Sequence, residues 1–235
     1  MSASRGPRTG PINFGKPDEA VALTNYARLA DGYDIACQRL GPIREEAVAL
    51  LGLRPGDRVL DVGCGTGISF ALLNAGVGTI GSVVGVELSP EMCAQARLRA
   101  LGLDGESVRV IEASAEGADF GAEKFDAVLF HYTHDVLRNP AALAHLFASA
   151  RPGARVVVAG LKAAPAWAAP LNWFSMFRAR KYLTTFEGVA EPWSHLLRFV
   201  PDFHWRNRLV GTGYVGWGNA PGEDTVSRAS VARET

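Results

Sequence analysis

Apolar positions along the chain fall into short continuous runs, separated by stretches in which apolar and polar residues alternate at helical spacing. The runs are 58–62, built on Val59, Leu60 and Val62; 83–87, built on Val83-Val84-Gly85-Val86; 108–112; 125–130; and Arg155-Val156-Val157-Val158-Ala159. Runs rich in β-branched residues and bounded by turn formers read as strands buried on both faces. Between them the pattern predicts helices over 68–75, from Ser89-Pro90-Glu91 onward, and over 140–150. Ser89 stands as N-cap with Pro90 at the first helical position. Residues 18–51 read as helices, with Pro42 near the start of the last. Strands alternating with helices imply a parallel sheet covered on both faces. The final runs, Phe203 to Val210 and Tyr214 to Trp217, flank Gly211-Thr212-Gly213 and predict an antiparallel hairpin that closes the sheet.

The chain has 235 residues, enough for one well-buried domain with an embellishment. The pattern places that domain at 18–220, between a flexible N-terminus over 1–17, rich in Gly, Pro, Ser and Arg, and a flexible tail over 221–235. Within it, 18–55 forms a helical segment at the front. Residues 162–200 break the alternation with Trp167, Trp173, Phe174, Phe177 and Trp193 mixed with Arg178, Arg180 and Lys181.

Composition narrows the classes. Lys plus Arg equals Asp plus Glu at 24 each, so no charge surplus steers the chain toward nucleic acid. The three cysteines, Cys37, Cys64 and Cys93, show no metal-ligand spacing, so no metal is expected and a reduced, cytoplasmic compartment is. The segment 1–17 has no apolar core of a signal peptide. The most apolar run, 163–177, is broken by Pro165 and Pro170 and is too short to span a bilayer.

The first strand runs into Asp61-Val62-Gly63-Cys64-Gly65-Thr66-Gly67, and the second ends on Glu87, twenty residues after the last glycine. In an open parallel sheet the ligand sits beyond the carboxyl ends of the strands, where glycine lets it approach the backbone. The dinucleotide fingerprint needs its third glycine at position 68, which is Ile68 here. The spacing found instead resembles the class I S-adenosylmethionine-dependent methyltransferases, over roughly 25–160. The resemblance implies a Rossmann-like fold with a seven-stranded mixed sheet, S-adenosylmethionine as cofactor and S-adenosylhomocysteine as product. It implies that Asp61, Gly63, Cys64, Gly65 and Gly67 cradle the amino-acid end of the cofactor, that Glu87, followed by Leu88, binds the ribose hydroxyls, and that Ser114 and Ala115 meet adenine. Ser114 stands where the family commonly has Asp; its hydroxyl can still accept from the adenine amino group. Phe130, ending the fourth strand, joins the cofactor set. Cys64 reads as a small loop filler, since nothing in the sequence suggests an activating partner.

The segment His131-Tyr132-Thr133-His134-Asp135 follows the fourth strand at the same edge. A helical turn beginning there would put His131, His134 and Asp135 on one face, as candidate catalytic bases. Tyr26 and Tyr33 lie in a Y-x-x-x-A-x-x-Y-D pattern similar to the lead-in helix of many small-molecule methyltransferases, which covers the cofactor and shapes the acceptor pocket. They join Tyr132, Trp167, Trp173 and Trp193 as candidate acceptor-binding residues, the tryptophans supplying an aromatic cap over 162–200. The nearest chain patterns are the quinone-biosynthesis C-methyltransferases and the soluble phosphatidylethanolamine N-methyltransferases. They imply a small-molecule or lipid acceptor methylated on O, N or C, with peripheral membrane contact an open alternative and the oligomeric state unspecified. The rival readings are a non-catalytic cofactor-binding protein on the same fold and a nicotinamide-dependent oxidoreductase, which the glycine spacing disfavours. A nucleic-acid methyltransferase would need the Asn/Asp-Pro-Pro-aromatic motif, which is missing.

Overall fold

A computed structural model describes residues 13–103 and 107–222. Helices α1 (Glu19–Leu29), α2 (Tyr33–Cys37) and α3 (Gly41–Leu51) precede β1 (Arg58–Val62). The chain then alternates through α4 (Phe70–Val77), β2 (Ser82–Glu87), α5 (Pro90–Leu101), β3 (Val108–Glu112) and β4 (Phe125–His131). The short α6 (His134–Leu137) and α7 (Pro140–Ala148) lead to β5 (Ala150–Leu161). Helix α8 (Ala169–Ala179) and a long irregular stretch separate β5 from β6 (His204–Arg208) and β7 (Gly213–Asn219).

The seven strands form one sheet in the order β3-β2-β1-β4-β5-β7-β6. The first five run parallel, and β7 pairs antiparallel with both β5 and β6, as the terminal hairpin reading requires. Alternate residues of each strand feed opposite faces. Leu60, Val84, Val128 and Val156 pack into one core with α7, while Val59, Val83, Ala127 and Val157 pack into the other with α3 and α4. Continuous apolar runs are therefore the signature of a two-faced sheet.

Boundaries moved where local geometry intervened. The register between β4 and β5 shifts between the pairs Phe125↔Ala150 and Ala127↔Arg155, so Arg151-Pro152-Gly153 bows out and β5 starts earlier than the sequence suggests. The run expected to stay extended through Val210 ends at Arg208, because Leu209 and Val210 turn into left-handed backbone at φ 50 and 54. The tail from 223 and residues 1–12 lie outside the described residues. Of the segment read as a flexible N-terminus, residues 13–17 run along 184–186. Phe186 N donates to Asn13 O at 2.7 Å and Thr185 Oγ1 to Gly15 O at 2.5 Å. Just beyond, Asp18 N donates to Thr184 Oγ1 at 3.0 Å.

Candidate active site

The loop after β1 turns on three left-handed glycines, Gly63, Gly65 and Gly67, at φ 62, 58 and 77. Gly63 has a second constraint: a Cβ there would stand 2.5 Å from Thr133 Cγ2. Gly63 and Gly65 border a cleft whose opposite wall is α1, through Leu23 and Tyr26. Gly67 instead lets the ring of Phe70 pack 2.6 Å from where its Cβ would be. At the end of β2, Glu87 is buried and accepts from Gly65 N at 3.0 Å and from Ser89 N at 2.8 Å. Burial raises its pKa, and the amides of Ser89, Gly65 and Leu88 pull the other way. Each carboxylate oxygen retains a lone pair for a further donor.

Leu88, Ser114 and Ala115 also line this cleft. Asp61 lies behind it, 1% exposed, with Oδ2 lacking a partner among the described residues. Burial pushes its carboxyl up to about 7, against the pull of Arg44. Phe130 and Cys64 line neither cavity. Phe130 is wholly buried in the α7-side core against Phe147, and Cys64 fills the space beside Gly85. The strand alternation that buries Phe130 also turns it away from the cleft.

A second cavity, of about 850 Å³, adjoins the first. Tyr26, Tyr33, His131, Tyr132, Thr133 and Tyr182 border both. The strand β4 delivers His131 there, and Tyr132 then takes φ 62, a left-handed conformation rare for a non-glycine residue. That turn prevents a helix from starting at 131, so the shared helical face anticipated for His131, His134 and Asp135 does not form. The three side chains nevertheless border the same cleft.

Their bonds differ. Asp135 Oδ2 accepts from Thr184 N at 3.0 Å and from Thr184 Oγ1 at 2.6 Å, and His134 Nε2 lies 3.0 Å from Glu187 O. Both pin the stretch 184–187 to the cleft. His131 Nε2 is buried with no partner among the described residues, and burial lowers its pKa to about 3. Its ring is neutral at physiological pH.

The tryptophans lie elsewhere. Trp167 and Trp173 are 81% and 66% exposed, and Trp173 stacks on Phe177, which borders the larger cavity while Trp173 does not. Trp193 is buried against Tyr214, 4.7 Å between centroids, behind the wall of the larger cavity. None of the three borders either cavity. Residues the pattern did not single out take those places: Tyr182, Tyr214 and the buried Arg44. Arg44 carried one signal, since it shares helical spacing with the buried Ala47 and Leu51.

The cleft fits a nucleoside cofactor with an amino-acid end. It has a backbone cradle a Cβ would fill, a carboxylate with free lone pairs at the end of β2, and an unpaired buried acid beneath the loop. A family model described as a methyltransferase domain matches residues 59–153. A ubiquinone biosynthesis O-methyltransferase of Xanthomonas campestris pv. campestris (strain B100) is 34% identical over 167 residues, covering 68% of this chain and 67% of that relative. Two solved structures share the fold. An O-methyltransferase family protein from Burkholderia thailandensis has a TM-score of 0.64 at 16% identity, over 92% of this chain and 65% of that one. A SAM-dependent methyltransferase from Aquifex aeolicus has a TM-score of 0.56 at 19% identity, over 84% and 98%. The chain belongs to the class I S-adenosylmethionine-dependent methyltransferases. S-adenosylmethionine is its cofactor. Among the described residues, no helix is long and apolar enough to cross a membrane.

Proposed function

We propose that the protein methylates an oxygen of a small, apolar or aromatic acceptor held in the 850 Å³ cavity. The observation that carries this reading is the wall the two cavities share, from Tyr26 and Tyr33 to His131, Tyr132 and Thr133. An acceptor in the larger cavity would meet the cofactor where those shared residues leave the two cavities adjoining. The choice of oxygen over nitrogen or carbon is supported by the sequence relatives at 29–34% identity that are named ubiquinone biosynthesis O-methyltransferases.

When bound, the cofactor supplies an electrophilic methyl group on a sulfonium. The protein must align the acceptor and exclude water, which can contribute on the order of 7–11 kcal/mol. In this reading Glu87 takes the ribose hydroxyls and Ser114 the adenine amino group. Asp61 and Arg44 meet the ammonium and carboxylate of the amino-acid end, being a buried acid and a buried cation without an ion-pair partner among the described residues. Residues 18–55 act as lid and 162–200 as cap. Neutral His131 accepts the hydrogen bond of the acceptor hydroxyl. Its lowered pKa keeps the ring from retaining that proton, which passes on to bulk water as the methoxy product forms, and assistance of this kind is typically about 10²- to 10⁴-fold. His134 and Asp135 hold the cap in place. The free Cys37, Cys64 and Cys93 support a reduced, cytoplasmic setting.

A lipid acceptor is a second reading, favoured by the exposed Trp167, Trp173 and Phe174 beside Arg178. Incubation with labelled cofactor and acceptors matched in ring but bearing hydroxyl, amine or activated carbon tests the reaction. Mass spectrometry should find a methoxy product. Methylation confined to nitrogen or carbon, or no turnover in protein that binds the cofactor, overturns it.

A further inference from the structure

The larger cavity has charge of one sign. Arg39, Arg178, Arg180 and Lys181 border it with Arg44, and no Asp or Glu does. The chain as a whole carries 24 acidic and 24 basic side chains, so this segregation does not follow from composition. Among the described residues none of Arg39, Arg178, Arg180 and Lys181 has a carboxylate within ion-pair distance. Three of them rest on aromatic rings instead. Arg178 lies 5.7 Å from the Phe174 centroid, Arg180 3.9 Å from Phe177 and Lys181 4.7 Å from Tyr182. Such stacking holds a cation in place while leaving its N–H groups free to donate.

The neutral polar groups match. The hydroxyls of Tyr132 and Tyr214 are buried in the wall and have no partner among the described residues. Burial raises the pKa of both, so both remain O–H donors. A buried donor without a partner is rare unless a ligand or water completes it. The cavity thus offers donors and cations against an apolar background of Leu40, Leu161 and Leu171.

We infer that the acceptor is an anion: an apolar or aromatic molecule bearing a carboxylate or phosphate, which the Arg178–Lys181 cations and the Tyr132 and Tyr214 hydroxyls recognise. Arg39, Arg178 and Lys181 lie exposed at the rim and raise the local concentration of such a ligand, while Arg180 is half-buried. The same anionic chemistry is offered by a phospholipid headgroup, and the test separates the two. The inference rests on the larger cavity being the acceptor site, not on which atom is methylated.

The probes are 4-octyloxybenzoate and its uncharged isostere 4-octyloxybenzamide, titrated calorimetrically into the full chain saturated with S-adenosylhomocysteine. The benzoate should bind about tenfold tighter than the amide or better, as expected for hydrogen bonds to a charged group, with the gap shrinking at high salt. The variant Arg178→Gln/Arg180→Gln/Lys181→Gln should close the gap and leave the affinity for S-adenosylhomocysteine unchanged. Arg180→Gln alone should narrow the gap, and it serves where the triple variant melts early. Equal affinity for both probes, or a gap that survives the triple substitution, overturns the inference. So does loss of binding to phosphatidylglycerol vesicles, but not phosphatidylcholine vesicles, in a variant whose wild type does not discriminate the two probes. That result would assign the cations to a membrane surface. Discrimination between the probes without any methoxy product keeps the anion site and removes the oxygen-transfer reading.

Discussion

Glu87 spends both carboxylate oxygens on the amides of Gly65 and Ser89, and so ties the end of β2 to the glycine loop. Ribose hydroxyls that use its remaining lone pairs would depend on a group already fixed in place. Replacing it removes both functions, so Glu87→Ala should weaken S-adenosylmethionine binding about 10- to 100-fold, corresponding to about 1.5–3 kcal/mol for hydrogen bonds to a charged group. Calorimetry would measure this, and an unchanged affinity would remove Glu87 from the cofactor site. Asp61 makes a pH-dependent prediction. Burial raises its folded pKa to about 7, above the ordinary carboxylate value, so the folded unliganded protein holds a proton that the unfolded chain releases. Its contribution to stability is therefore greatest below about pH 4 and declines as pH rises toward and through 7. An ammonium group beside it favours the carboxylate, so cofactor binding should release protons near and below pH 7 and tighten as pH rises through that range. Titrations at pH 6.5 in buffers of different ionisation enthalpy should give different apparent heats, and identical heats would refute the pairing. The spacing of Gly63, Gly65 and Glu87 was readable because a strand, a tight turn and a second strand end impose it locally. Phe130 was misplaced because sheet alternation, not proximity along the chain, decides which cavity a side chain faces.

At the scale of elements, the N-terminal helical segment is braced to the glycine loop. Arg99 on α5 donates to Thr66 O and pairs with Asp34 on α2, while Thr66 Oγ1 donates to Asp34 Oδ1 at 2.6 Å. Three elements meet at Thr66, inside the glycine loop, so the brace should set the loop geometry that the cofactor meets. Arg99→Ala should raise the dissociation constant for S-adenosylmethionine several-fold, with little change in melting temperature because the pair is partly exposed. A melting temperature that drops with no change in affinity would make the brace merely structural. The Tyr-x-x-x-Ala-x-x-Tyr-Asp pattern marked this helical segment in the sequence, but Arg99 belongs to the other side of the brace and carried no local signal. The same limit applies to 131–135. Their chemistry was legible, whereas the left-handed Tyr132 and the bonds from His134 and Asp135 to 184–187 depend on chain far away in sequence. Trp193 is the plainest case. An aromatic residue in a basic insert suits a substrate wall by composition, but packing against Tyr214 and Phe203 draws it into the core.

For the whole molecule, the alternation of strands and helices was enough to predict a parallel sheet closed by an antiparallel hairpin and to point to the carboxyl ends of its strands. Closure over that site was not legible, because it needs residues 13–18, α1 and the stretch 182–186 to meet. They do so through Asn13, Gly15 and Asp18 on one side and Thr184, Thr185 and Phe186 on the other, with Tyr26 Oη donating to Tyr182 O at 2.9 Å. The cleft they enclose is about 130 Å³. That is below the roughly 300–1,000 Å³ typical of small-molecule sites, so if α1 acts as a lid, cofactor entry should be accompanied by its opening or shifting. The bonds from 13–18 and α1 to 182–186 can break without disturbing the sheet, since none of them is made by a strand residue. Opening should therefore be a local event, far cheaper than global unfolding. Hydrogen exchange followed by mass spectrometry on the full chain should show α1 and 182–186 exchanging faster than β1, β4 and β5. Saturating S-adenosylhomocysteine should slow α1 and 182–186 together, in step with the glycine loop, while leaving the β6–β7 hairpin unchanged. Protection of the loop without the lid would mean that the cofactor enters by another route and that α1 does not close over it.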